Sequence, residues 1–466
     1  MRNLIVLIIG MLLTACTVGP EYAKPDVQLP ATWRVDYSTA AELSNSAWWK
    51  LFGDPVLDDL IQSAVSENLD LKIATARVDQ YLGALDVSRS QYFPQIGAAV
   101  SAGSGRQSGK SSESYQGALN ATWELDLWGR IRRSNEAAQA EILSSEAGRR
   151  AVLMTLVSTV AGNYVTLLGL DRQLEIIRET ERAYAESLQL FRLRYQYGAI
   201  SELSLNQAES QYESARQAIP QYESLIRQQE NLISLLLGRT PGPIRRGKTF
   251  KQLTPPGIPA GLPSTLLGRR PDIIQAEQAL VAANARIGVA KAAYFPTISL
   301  TGLLGVSSND LGKLFSANSD VRSLTGSVAA PLVTFGAISG KVQQAESLQQ
   351  QAMLSYRQTV LGALREVEDA LIKSAKGREH IESQRAQIKA LSNYARLSRL
   401  QFEAGTAGYL QVLDSDRSLF SGQLALVQGE IDVLTSLISV YKAMGGGWID
   451  SAESLGSVQK TSRRMN

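Results

Sequence analysis

The sequence has very little of the chemistry that most enzymes and metal proteins use. Its 466 residues include one cysteine and one histidine, which excludes a disulfide within the chain and argues against a metal site built from these residues. The single histidine, His380, lies in a charged helical stretch, and no paired acid and base accompanies it. We therefore expect no catalytic residue, no bound metal and no cofactor.

An excess of either charge is also missing. The 47 basic and 44 acidic residues leave a net charge of +3, which is too small to indicate a nucleic-acid partner. An apolar run at residues 4–13, which follows Arg2, is too short to cross a bilayer. Its length and position are typical of a signal peptide, which we place at residues 1–15.

The sole cysteine stands where a lipoprotein signal peptide would be cleaved. Small residues precede it in Thr14-Ala15-Cys16, and this arrangement resembles the lipobox of bacterial lipoproteins, whose cysteine is acylated after cleavage. The alternative is an ordinary signal peptide with an unrelated cysteine, but the position of the only cysteine favours lipidation of Cys16. Several acyl chains would give a stable anchor, and Thr17 in place of an aspartate resembles sorting to the outer membrane.

Proline is absent from two long stretches, residues 131–197 and 337–404. Each carries an apolar seam in steps of three and four residues. The seams are Leu170, Leu174, Ile177, Tyr184, Leu188, Phe191 and Tyr195, and Ile381, Ile388, Leu391, Ala395 and Phe402. This spacing is that of coiled coils. A helix of about 67 residues would be on the order of 100 Å long, which predicts a tube or a fibre rather than a compact domain.

The two stretches belong to a duplicated unit. Glycines and a leucine recur about 207 positions apart, in the pairs Gly198 and Gly405, Leu203 and Leu410, and Gly238 and Gly445. The motif Tyr-Phe-Pro occurs at 92–94 and again at 294–296, about 202 positions later. Self-similarity at a fixed offset indicates a repeated structural unit, which we place at residues 57–238 and 269–448.

Residues 16–56, before the first repeat, contain several prolines and little periodicity, which predicts an extended tether. The aromatic residues of this tether are expected to pack it against the body of the protein, and they are Trp33, Trp48, Trp49 and Phe52. From residue 57 to about residue 92, helical spacing of apolar residues predicts one helix.

A period of two replaces the helical period at residues 95–125 and 297–332, which predicts a β-hairpin with one apolar face in each repeat. The apolar positions are Ile96, Ala98, Val100, Ala102, Tyr115, Gly117, Leu119, Ala121, Trp123 and Leu125, and then Ile298, Leu300, Leu304, Leu324, Val328 and Leu332. Each segment has about the length of a tilted transmembrane strand. A soluble hairpin on a core is the alternative, but the export signal favours a membrane β-barrel.

Four strands are too few to close such a barrel, since about eight are the minimum and open edges cannot face lipid. The chain must therefore form an oligomer. Three copies would supply twelve strands around a threefold axis, and the internal duplication would add pseudo-sixfold symmetry.

Short motifs along the mature chain resemble a known family. They are Cys16-Thr17-Val18-Gly19-Pro20, Trp48-Trp49-Lys50-Leu51-Phe52, the two Tyr-Phe-Pro motifs and Gly445-Gly446-Gly447-Trp448. Together they resemble the lipoprotein branch of the TolC-like outer membrane efflux proteins. The resemblance implies a mixed α and β membrane protein: a trimeric, twelve-stranded transmembrane β-barrel continued by a long periplasmic α-helical barrel.

The same resemblance implies a function and partners. The chain would be the outer membrane exit duct of a tripartite efflux system in a Gram-negative bacterium, passively conducting drugs or other small toxic compounds. A periplasmic adaptor protein and an inner-membrane RND transporter would be its partners, and it would not be an enzyme. A conduit for type I protein secretion or for metal efflux is the alternative, and an adhesive coiled-coil lipoprotein is a further one. The sequence does not identify the cargo.

A proline-rich linker at residues 239–268 separates the repeats and resembles the family's belt around the tube. Its residues 242–249, GPIRRGKT, match the pattern of a phosphate-binding loop. Such a loop needs a preceding strand and a following helix, whereas a helix precedes this segment, so we interpret it as a basic surface loop. Residues 449–466 are expected to form a disordered or equatorial tail.

Glycines mark the two tips where the long helices turn back. Gly198 and Gly405 can adopt positive φ. Ser201 is a candidate N-cap for the returning helix of the first repeat, and Thr406 is the candidate in the second. By resemblance to the family, these tips would dock the adaptor. Pro220 is expected to kink or interrupt the first returning helix.

The residues after the second tip resemble the family's periplasmic constriction, in which a leucine and an aspartate project inward as rings and an arginine joins the locking contacts. The matching residues are Leu410, Asp414 and Arg417, which share one helix face. Three Asp414 carboxylates around a threefold axis would repel one another and attract a cation. A surface ion pair is the alternative. Phe402 stands at the position of a tyrosine that helps to lock the entrance in the family. In the first repeat, Gln207 stands at the position that corresponds to Asp414.

Overall fold

The computed structural model describes residues 17–28, 30, 32–34, 47–107, 110–255, 257, 266–445 and 448–453. The signal peptide and Cys16 lie outside these residues. The described residues form two compact units, each of which draws on both repeats. The strand unit lies within Met1–Val27, Thr75–Gly148 and Asp272–Thr359, and the tip unit lies within Gln28–Ala74, Arg149–Pro271 and Val360–Asn466.

The elements follow the duplication. The first repeat contains α1 (Pro55–Glu67), α2 (Leu69–Ser90), β1 (Gln95–Gln107), β2 (Lys110–Leu125), α3 (Arg130–Gln196) and α4 (Glu202–Leu236). The end of the linker forms α5 (Leu266–Arg269), and the second repeat contains α6 (Pro271–Ala292), β3 (Thr297–Ser308), β4 (Asp320–Ala329), α7 (Ala337–Glu403) and α8 (Tyr409–Ala443). Short 3-10 helices lie at Trp48–Phe52, Phe250–Gln252 and Leu311–Lys313.

The long helices of the two repeats correspond residue for residue. Helices α3 and α7 have 67 residues each, and α4 and α8 have 35 each. The boundaries of α7 and α8 lie 207 positions after those of α3 and α4. The predicted duplication is confirmed, and the helices predicted at 131–197 and 337–404 are confirmed to within one residue. At about 1.5 Å per residue, α3 and α7 are each on the order of 100 Å long.

Both α3 and α8 contain an 18-residue stretch that is long and apolar enough to cross a membrane. In α3, 61% of that stretch is buried inside the structure, and in α8 the buried share is 50%. Core helices of water-exposed proteins pass the same test. Helix α3 completely buries Val157, Val160 and Leu167 in the tip unit, as a core helix does.

The apolar seam of α3 is buried along most of its predicted length. Leu174, Ile177 and Tyr184 are 8% exposed or less, and Leu188 and Phe191 are each 3% exposed. Tyr195, the seam residue closest to the tip, is instead 41% exposed. The coiled-coil pattern therefore identifies the packed face of the helix up to its last turns.

Two helix predictions are wrong in detail. The single helix expected over residues 57–92 is two helices, because Asn68 ends α1 and caps α2. The side-chain oxygen of Asn68 accepts a hydrogen bond from Leu71 N at 2.9 Å, and its amide donates to the Leu236 carbonyl at 2.9 Å; asparagine is a favoured cap residue. Pro220 does not interrupt α4, which continues through it.

The four strands form one antiparallel sheet in the order β1-β2-β3-β4. The register pairs the apolar positions with one another: Ala98 lies opposite Leu119, and Leu119 lies opposite Leu304. On β4, Leu324 and Val328 share this face. Directly opposed residues lie on the same side of a sheet, so the predicted apolar face is confirmed.

The end of the second hairpin differs from the sequence prediction. Strand β4 ends at Ala329, so Leu332 is not a strand residue, although the predicted hairpin reached it. Pro331 lies between them and has no backbone N–H with which to continue the ladder. Phe335, two residues before the start of α7, then takes a left-handed φ of 45°.

Within the strand unit, the segment that follows Cys16 forms hydrogen bonds with both repeats. Residues 17–28 form neither helix nor strand, whereas Trp48–Phe52 of the predicted tether form a 3-10 helix. Val18 N donates to the Trp128 carbonyl at 3.2 Å, next to the start of α3. The Asn284 amide of α6 donates to the Pro20 carbonyl at 2.9 Å. This strap therefore joins the first repeat to the second.

Aromatic residues from the tether and the end of α8 pack together in the tip unit. The ring centroids of Trp48 and Trp49 lie 5.9 and 5.6 Å from that of Trp448, and Trp48 stacks on Tyr441 at 5.2 Å. Trp48, Trp49 and Phe52 are at most 1% exposed, which confirms them as packing anchors. Burial of aromatic side chains of this size contributes strongly to a core.

The beginning of the predicted tail is ordered. Residues 449–453 are helical, and Ile449 and Ala452 are buried. Glu453 accepts a hydrogen bond from Arg149 of α3 at 2.6 Å. Of the two predicted options, a disordered or an equatorial tail, disorder is therefore excluded for these five residues, and the rest of the predicted tail lies outside the described residues.

A buried carboxylate occupies the loop that matches the phosphate-binding pattern. Asp54 is fully buried and accepts hydrogen bonds from Lys248 N and from the Tyr164 hydroxyl, both at 2.9 Å. Gly247 N donates to that hydroxyl at 3.0 Å. A Cβ atom on Gly247 would lie 2.0 Å from Asp54 Oδ1, so glycine is required for this close approach. These two loop amides, which would face a phosphate, are already satisfied within the protein.

Arg246 of the same loop is not an unpaired surface charge, as a basic surface loop would suggest. Its guanidinium forms an ion pair with Asp171 at 2.8 Å and a second with Glu230. Its side chain is 29% exposed. Charged hydrogen bonds of this kind hold the loop against α3 and α4.

Candidate functional site at the helix tips

The two tips turn on glycines, as predicted. Gly198 has φ 69° and Gly405 has φ 74°, in the left-handed region that closes many helices. Ala199 N donates to the Arg194 carbonyl at 2.8 Å, and the equivalent Thr406 N donates to the Gln401 carbonyl at 2.9 Å. These bonds supply a hydrogen-bond donor to carbonyls that have no partner within the helix.

The two returning helices begin differently. Ser201 is the N-cap of α4, and its side chain accepts from Ser204 N, as predicted. Thr406 is not the N-cap of α8, because that position is Gly408. The Thr406 hydroxyl instead donates to the Gln401 carbonyl at 3.1 Å, so it closes the end of α7 rather than the start of α8.

Leu410, Asp414 and Arg417 follow one face of the first turns of α8, as their spacing predicted. They line a groove of about 430 Å³ that α4 completes from the other side. The other lining residues are Leu203, Asn206, Gln207, Ser210, Gln211 and Leu413. Leu203 and Leu410 occupy equivalent places in the repeats and are each 68% exposed, so a single chain leaves both leucines uncovered.

Asp414 has a partner that the sequence did not reveal. The hydroxyl of Tyr394, on α7, donates to Asp414 Oδ2 at 3.1 Å. Desolvation and then the hydrogen bond to Asp414 raise the pKa of Tyr394, so this hydroxyl keeps its proton at neutral pH. Among the described residues, no ion pair joins Asp414 to Arg417, and the alternative of a surface pair within one chain is therefore not observed.

Phe402, which stands where the family's locking tyrosine was expected, has an apolar role. Its ring stacks on Phe191 with centroids 5.9 Å apart and packs on Tyr409 at 5.4 Å. Phe191 and Tyr409 are themselves 4.2 Å apart. These rings join the long helices of both repeats near the tips, within a cluster that also buries Leu188.

Ion pairs between each long helix and its returning helix are duplicated with the fold. Arg192–Glu209 and Arg178–Glu223 in the first repeat correspond to Arg399–Asp416 and Arg385–Glu430 in the second, at 2.6–2.9 Å. Each member of the second set lies 207 positions after its counterpart. Burial raises the pKa of Asp416, and the guanidinium of Arg399 opposes that rise. Partly exposed pairs contribute little stability, but they fix the register of the two helices.

The sequence model of the outer membrane efflux protein family matches residues 60–239 and 262–446. The chain belongs to this family. The match includes both hairpins, both tips and nearly all of both repeats. The family indicated by the sequence motifs is therefore confirmed.

Individual relatives agree over nearly the whole chain. The toluene efflux pump outer membrane protein TtgC of Pseudomonas putida is 33% identical over 457 residues, which cover 95% of this chain and 94% of the relative. The cation efflux system protein CusC of Escherichia coli is 33% identical over 451 residues, with coverages of 94% and 98%. The open-state crystal structure of the Neisseria gonorrhoeae MtrE outer membrane channel is similar with a TM-score of 0.85 at 30% identity, covering 93% of this chain and 99% of that chain.

This member of the outer membrane efflux protein family is thus an efflux channel protein of the outer membrane. Its architecture is mixed: mostly helical, with one four-stranded sheet among the described residues. Two relatives of equal identity are named for different cargo, toluene in one case and cations in the other. Overall similarity therefore does not select the cargo of this chain.

A comparison of the repeats could have identified Tyr394 from the sequence. The first repeat has Ser187 at the position of Tyr394 and Gln207 at the position of Asp414. The tyrosine and the acid therefore occur together in one repeat and are absent together from the other. The spacing along one helix could not reveal this contact, because the two side chains lie on different helices.

Proposed function

We propose that three copies of this chain form the outer membrane exit duct of a tripartite efflux system. The observation that carries this proposal is the open sheet. Strands β1 and β4 each pair with one neighbour within the described chain, and unpaired edges cannot face lipid. Pairing β4 of one copy with β1 of the next would close a twelve-stranded barrel with no edges.

The apolar face of the sheet has a height that suits the outer membrane. Along β2 it extends from Tyr115 to Leu125, or roughly 33 Å at about 3.3 Å per residue. With a tilt of about 40°, it would span about 25 Å, which is the height of the apolar band in membrane barrels. Beyond Tyr115 the same face carries Glu113 and Arg106. On β4 it carries Asp320 and Arg322, opposite Val306 and Leu304, so the apolar band is shorter along β4 than along β2.

The position of Thr17, the residue after Cys16, supports lipidation of Cys16. Thr17 lies so close to Gly129, between β2 and α3, that a Cβ on this glycine would be 2.3 Å from Thr17 Cγ2. The neighbouring Trp128 stacks on Phe295 at 4.8 Å, and aromatic residues favour the membrane–water interface. An acyl group on Cys16 would thus start at the level where the strands end.

The resting duct would be closed by Leu410 and Asp414 of the three copies at the periplasmic entrance. Tyr394 would hold each Asp414 in place, and Arg417 would reach a carboxylate of the next copy. Docking of a periplasmic adaptor on the tips at Gly198 and Gly405 would separate these helices and open the entrance. An inner-membrane RND transporter would supply the energy, since the duct itself is passive.

The cargo would be small toxic organic compounds, with metal ions as a second candidate because CusC, a cation efflux protein, is as similar as TtgC. Expression in a host that lacks its own outer membrane channel tests the choice when the matching adaptor and transporter are supplied. Restored resistance to toluene and other small organic compounds supports the first cargo. Restored resistance only to metal cations supports the second.

Reconstitution of the purified protein in planar bilayers tests the duct itself. Discrete single-channel currents, together with a trimer in native mass spectrometry, are expected. An adhesive coiled-coil lipoprotein would bind membranes through its lipid but would conduct no current. A monomer without conductance would therefore contradict the proposal.

A further inference from the structure

We infer that Phe335 of one copy stacks on Phe93 of the next, at a joint between copies that repeats the joint which each chain forms between its own hairpins. The inner joint is the pairing of β2 with β3 and the aromatic contact beside it. The outer joint is its counterpart between β4 of one copy and β1 of the next. This inference rests on the trimer proposed above and names the surface through which one copy recognises another.

The two hairpins of the chain share one register. Gln95 lies opposite Thr122 in the first hairpin, and Thr297 lies opposite Ala329 in the second. The first strand is therefore displaced by 202 positions, from 95 to 297, and the second strand by 207 positions, from 122 to 329. These two displacements relate every position of one hairpin to a position of the other.

The displacements transfer the pairing of the inner joint to the outer edges of the sheet. In the inner joint, Ala121 lies opposite Gly302. The counterpart of Ala121 on β4 is Val328, and the counterpart of Gly302 on β1 is Val100. Val328 would thus lie opposite Val100 of the next copy. In a single chain, Val328 is 69% exposed and Val100 is 88% exposed.

The same relation accounts for an exposed leucine beyond the end of β4. Leu125 lies opposite Ile298 in the inner joint, so Leu332 would lie opposite Ile96 of the next copy. In a single chain, β4 ends at Ala329, and Leu332 is 94% exposed. Exposed apolar side chains beside an unpaired strand edge are typical of an interaction surface.

An aromatic stack accompanies the inner joint. Beyond the end of β2, the ring of Trp128 stacks on that of Phe295, with centroids 4.8 Å apart and an interplanar angle of 25°. The indole N–H of Trp128 donates to the Pro296 carbonyl at 2.7 Å. Phe295 and Pro296 belong to the Tyr-Phe-Pro motif that precedes β3. The stack therefore joins the segment after one hairpin to the segment before the other.

The outer joint has phenylalanine at both corresponding positions. Phe335 lies 207 positions after Trp128, and Phe93 lies 202 positions before Phe295. In a single chain, Phe335 is 98% exposed and Phe93 is 68% exposed, whereas Trp128 and Phe295 are half-buried. Two phenylalanine rings can form the same kind of stack, so contact between neighbouring copies would cover both.

The outer joint would be the weaker of the two. Phe335 has no ring N–H, so it cannot repeat the hydrogen bond that Trp128 donates. The strap also supports the inner joint, because Val18 N donates to the Trp128 carbonyl at 3.2 Å. Gly336 is the counterpart of Gly129, but the described chain leaves room for a Cβ atom there. The trimer is thus expected to separate at the outer joint.

Lipid is the alternative occupant of this surface, since aromatic side chains also favour the membrane–water interface. The two occupants predict different coupling between the rings. If Phe335 and Phe93 touch, loss of either ring removes the same contact. If each ring faces lipid, the two losses are independent. The duplicated register favours the ring of a second copy, because the chain already forms this contact once.

Disulfide formation between introduced cysteines tests the register of the outer joint. Val100→Cys combined with Val328→Cys should give covalently linked dimers and trimers on oxidation in isolated outer membranes, because directly opposed strand residues lie within reach of a disulfide. Ala102→Cys combined with Val328→Cys is the control, displaced by two residues on the same face, and should link far less. Linkage that is absent from the first pair, or equal in the two pairs, would overturn this register.

The temperature at which the trimer separates in detergent tests the aromatic contact. Phe93→Ala and Phe335→Ala should each lower it, and the double variant should lower it by clearly less than the sum, because both changes remove one stack. Phe315→Ala is the control, since this ring of the strand unit is also 88% exposed, and it should have no effect. Additive losses, or none, would overturn the contact and favour lipid.

Phe335→Trp covers the case in which the alanine variants do not assemble. Its indole N–H could donate to the Pro94 carbonyl of the next copy, as Trp128 donates to Pro296 within the chain, so the separation temperature should rise. An unchanged or lower temperature would contradict the equivalence of the two joints. Absence of a trimer in the unaltered protein would instead contradict the proposed duct.

Discussion

At the residue scale, the hydrogen bond between Tyr394 and Asp414 links the structure most closely to gating. The hydroxyl restrains a carboxylate that would be repelled by the same group in two further copies. We expect Tyr394→Phe to raise the resting conductance of the reconstituted channel, because Asp414 can then move away from the axis. The effect should be smaller than that of removing Asp414 itself.

Tyr212→Phe is the matched control, since Tyr212 also lies near the tips, where it packs on the cluster that buries Leu188 and Phe191. Its resting conductance should equal that of the unaltered channel. If Tyr394→Phe also leaves the conductance unchanged, the hydrogen bond does not restrain the entrance.

A second residue, Asp54, is expected to matter for stability rather than for conduction. It accepts hydrogen bonds from Val56 N, Tyr164 and Lys248 N in a fully buried position. Asp54→Ala leaves these donors without their acceptor, and each buried donor that loses its partner costs about 1–3 kcal/mol. The thermal unfolding temperature of the protein should fall clearly below that of Asp59→Ala, which alters an exposed carboxylate in the adjoining helix α1.

Residue roles were predictable where spacing along one helix carries the information. Leu410, Asp414 and Arg417 share a face because α8 is regular, and the sequence predicted that. Tyr394 and the Asp54 site depend on contacts between segments that are distant in sequence, and Thr406 depends on where one turn of backbone ends. The pattern of residues within one segment does not determine such contacts or the position at which a turn ends.

At the scale of elements, the hairpins provide a direct test of which face meets lipid. Leu119 lies opposite Ala98 and Leu304 on the apolar side, whereas Asn120 lies on the polar side. An arginine on the lipid face near midplane costs about 2–4 kcal/mol. Leu119→Arg should therefore reduce the amount of assembled trimer in the outer membrane fraction.

Asn120→Arg is the neighbouring control for that experiment. This side chain would lie in the lumen, so the variant should assemble at the normal level and change the conductance of the channel. Equal loss of trimer in the two variants would show that the lipid and lumen faces are assigned incorrectly.

The element boundaries show which sequence signals are strong. Long proline-free seams predicted α3 and α7 to within one residue, because coiled-coil spacing continues over many turns. The break at Asn68 was missed, since a single capping residue inside an apolar pattern is a weak signal. The break that Pro220 could have caused does not occur, since α4 continues through this residue.

At the scale of the whole molecule, the duplication explains how one chain supplies an asymmetric entrance on a symmetric scaffold. Offsets of 207 positions relate the long helices, the tips and the interhelical ion pairs of the two repeats. The repeats differ at the entrance, where the Tyr394 and Asp414 pair has Ser187 and Gln207 as its counterpart. Three chains would thus present three acids in a frame with six similar hairpins.

The central claim is that three chains form a channel whose resting entrance is closed at Leu410 and Asp414. Single-channel recording of the double variant Leu410→Ala/Asp414→Ala beside the unaltered protein tests it most directly. The account predicts a higher conductance for the variant and weaker block by divalent cations added from the periplasmic side. Unchanged conductance together with unchanged cation block would contradict it.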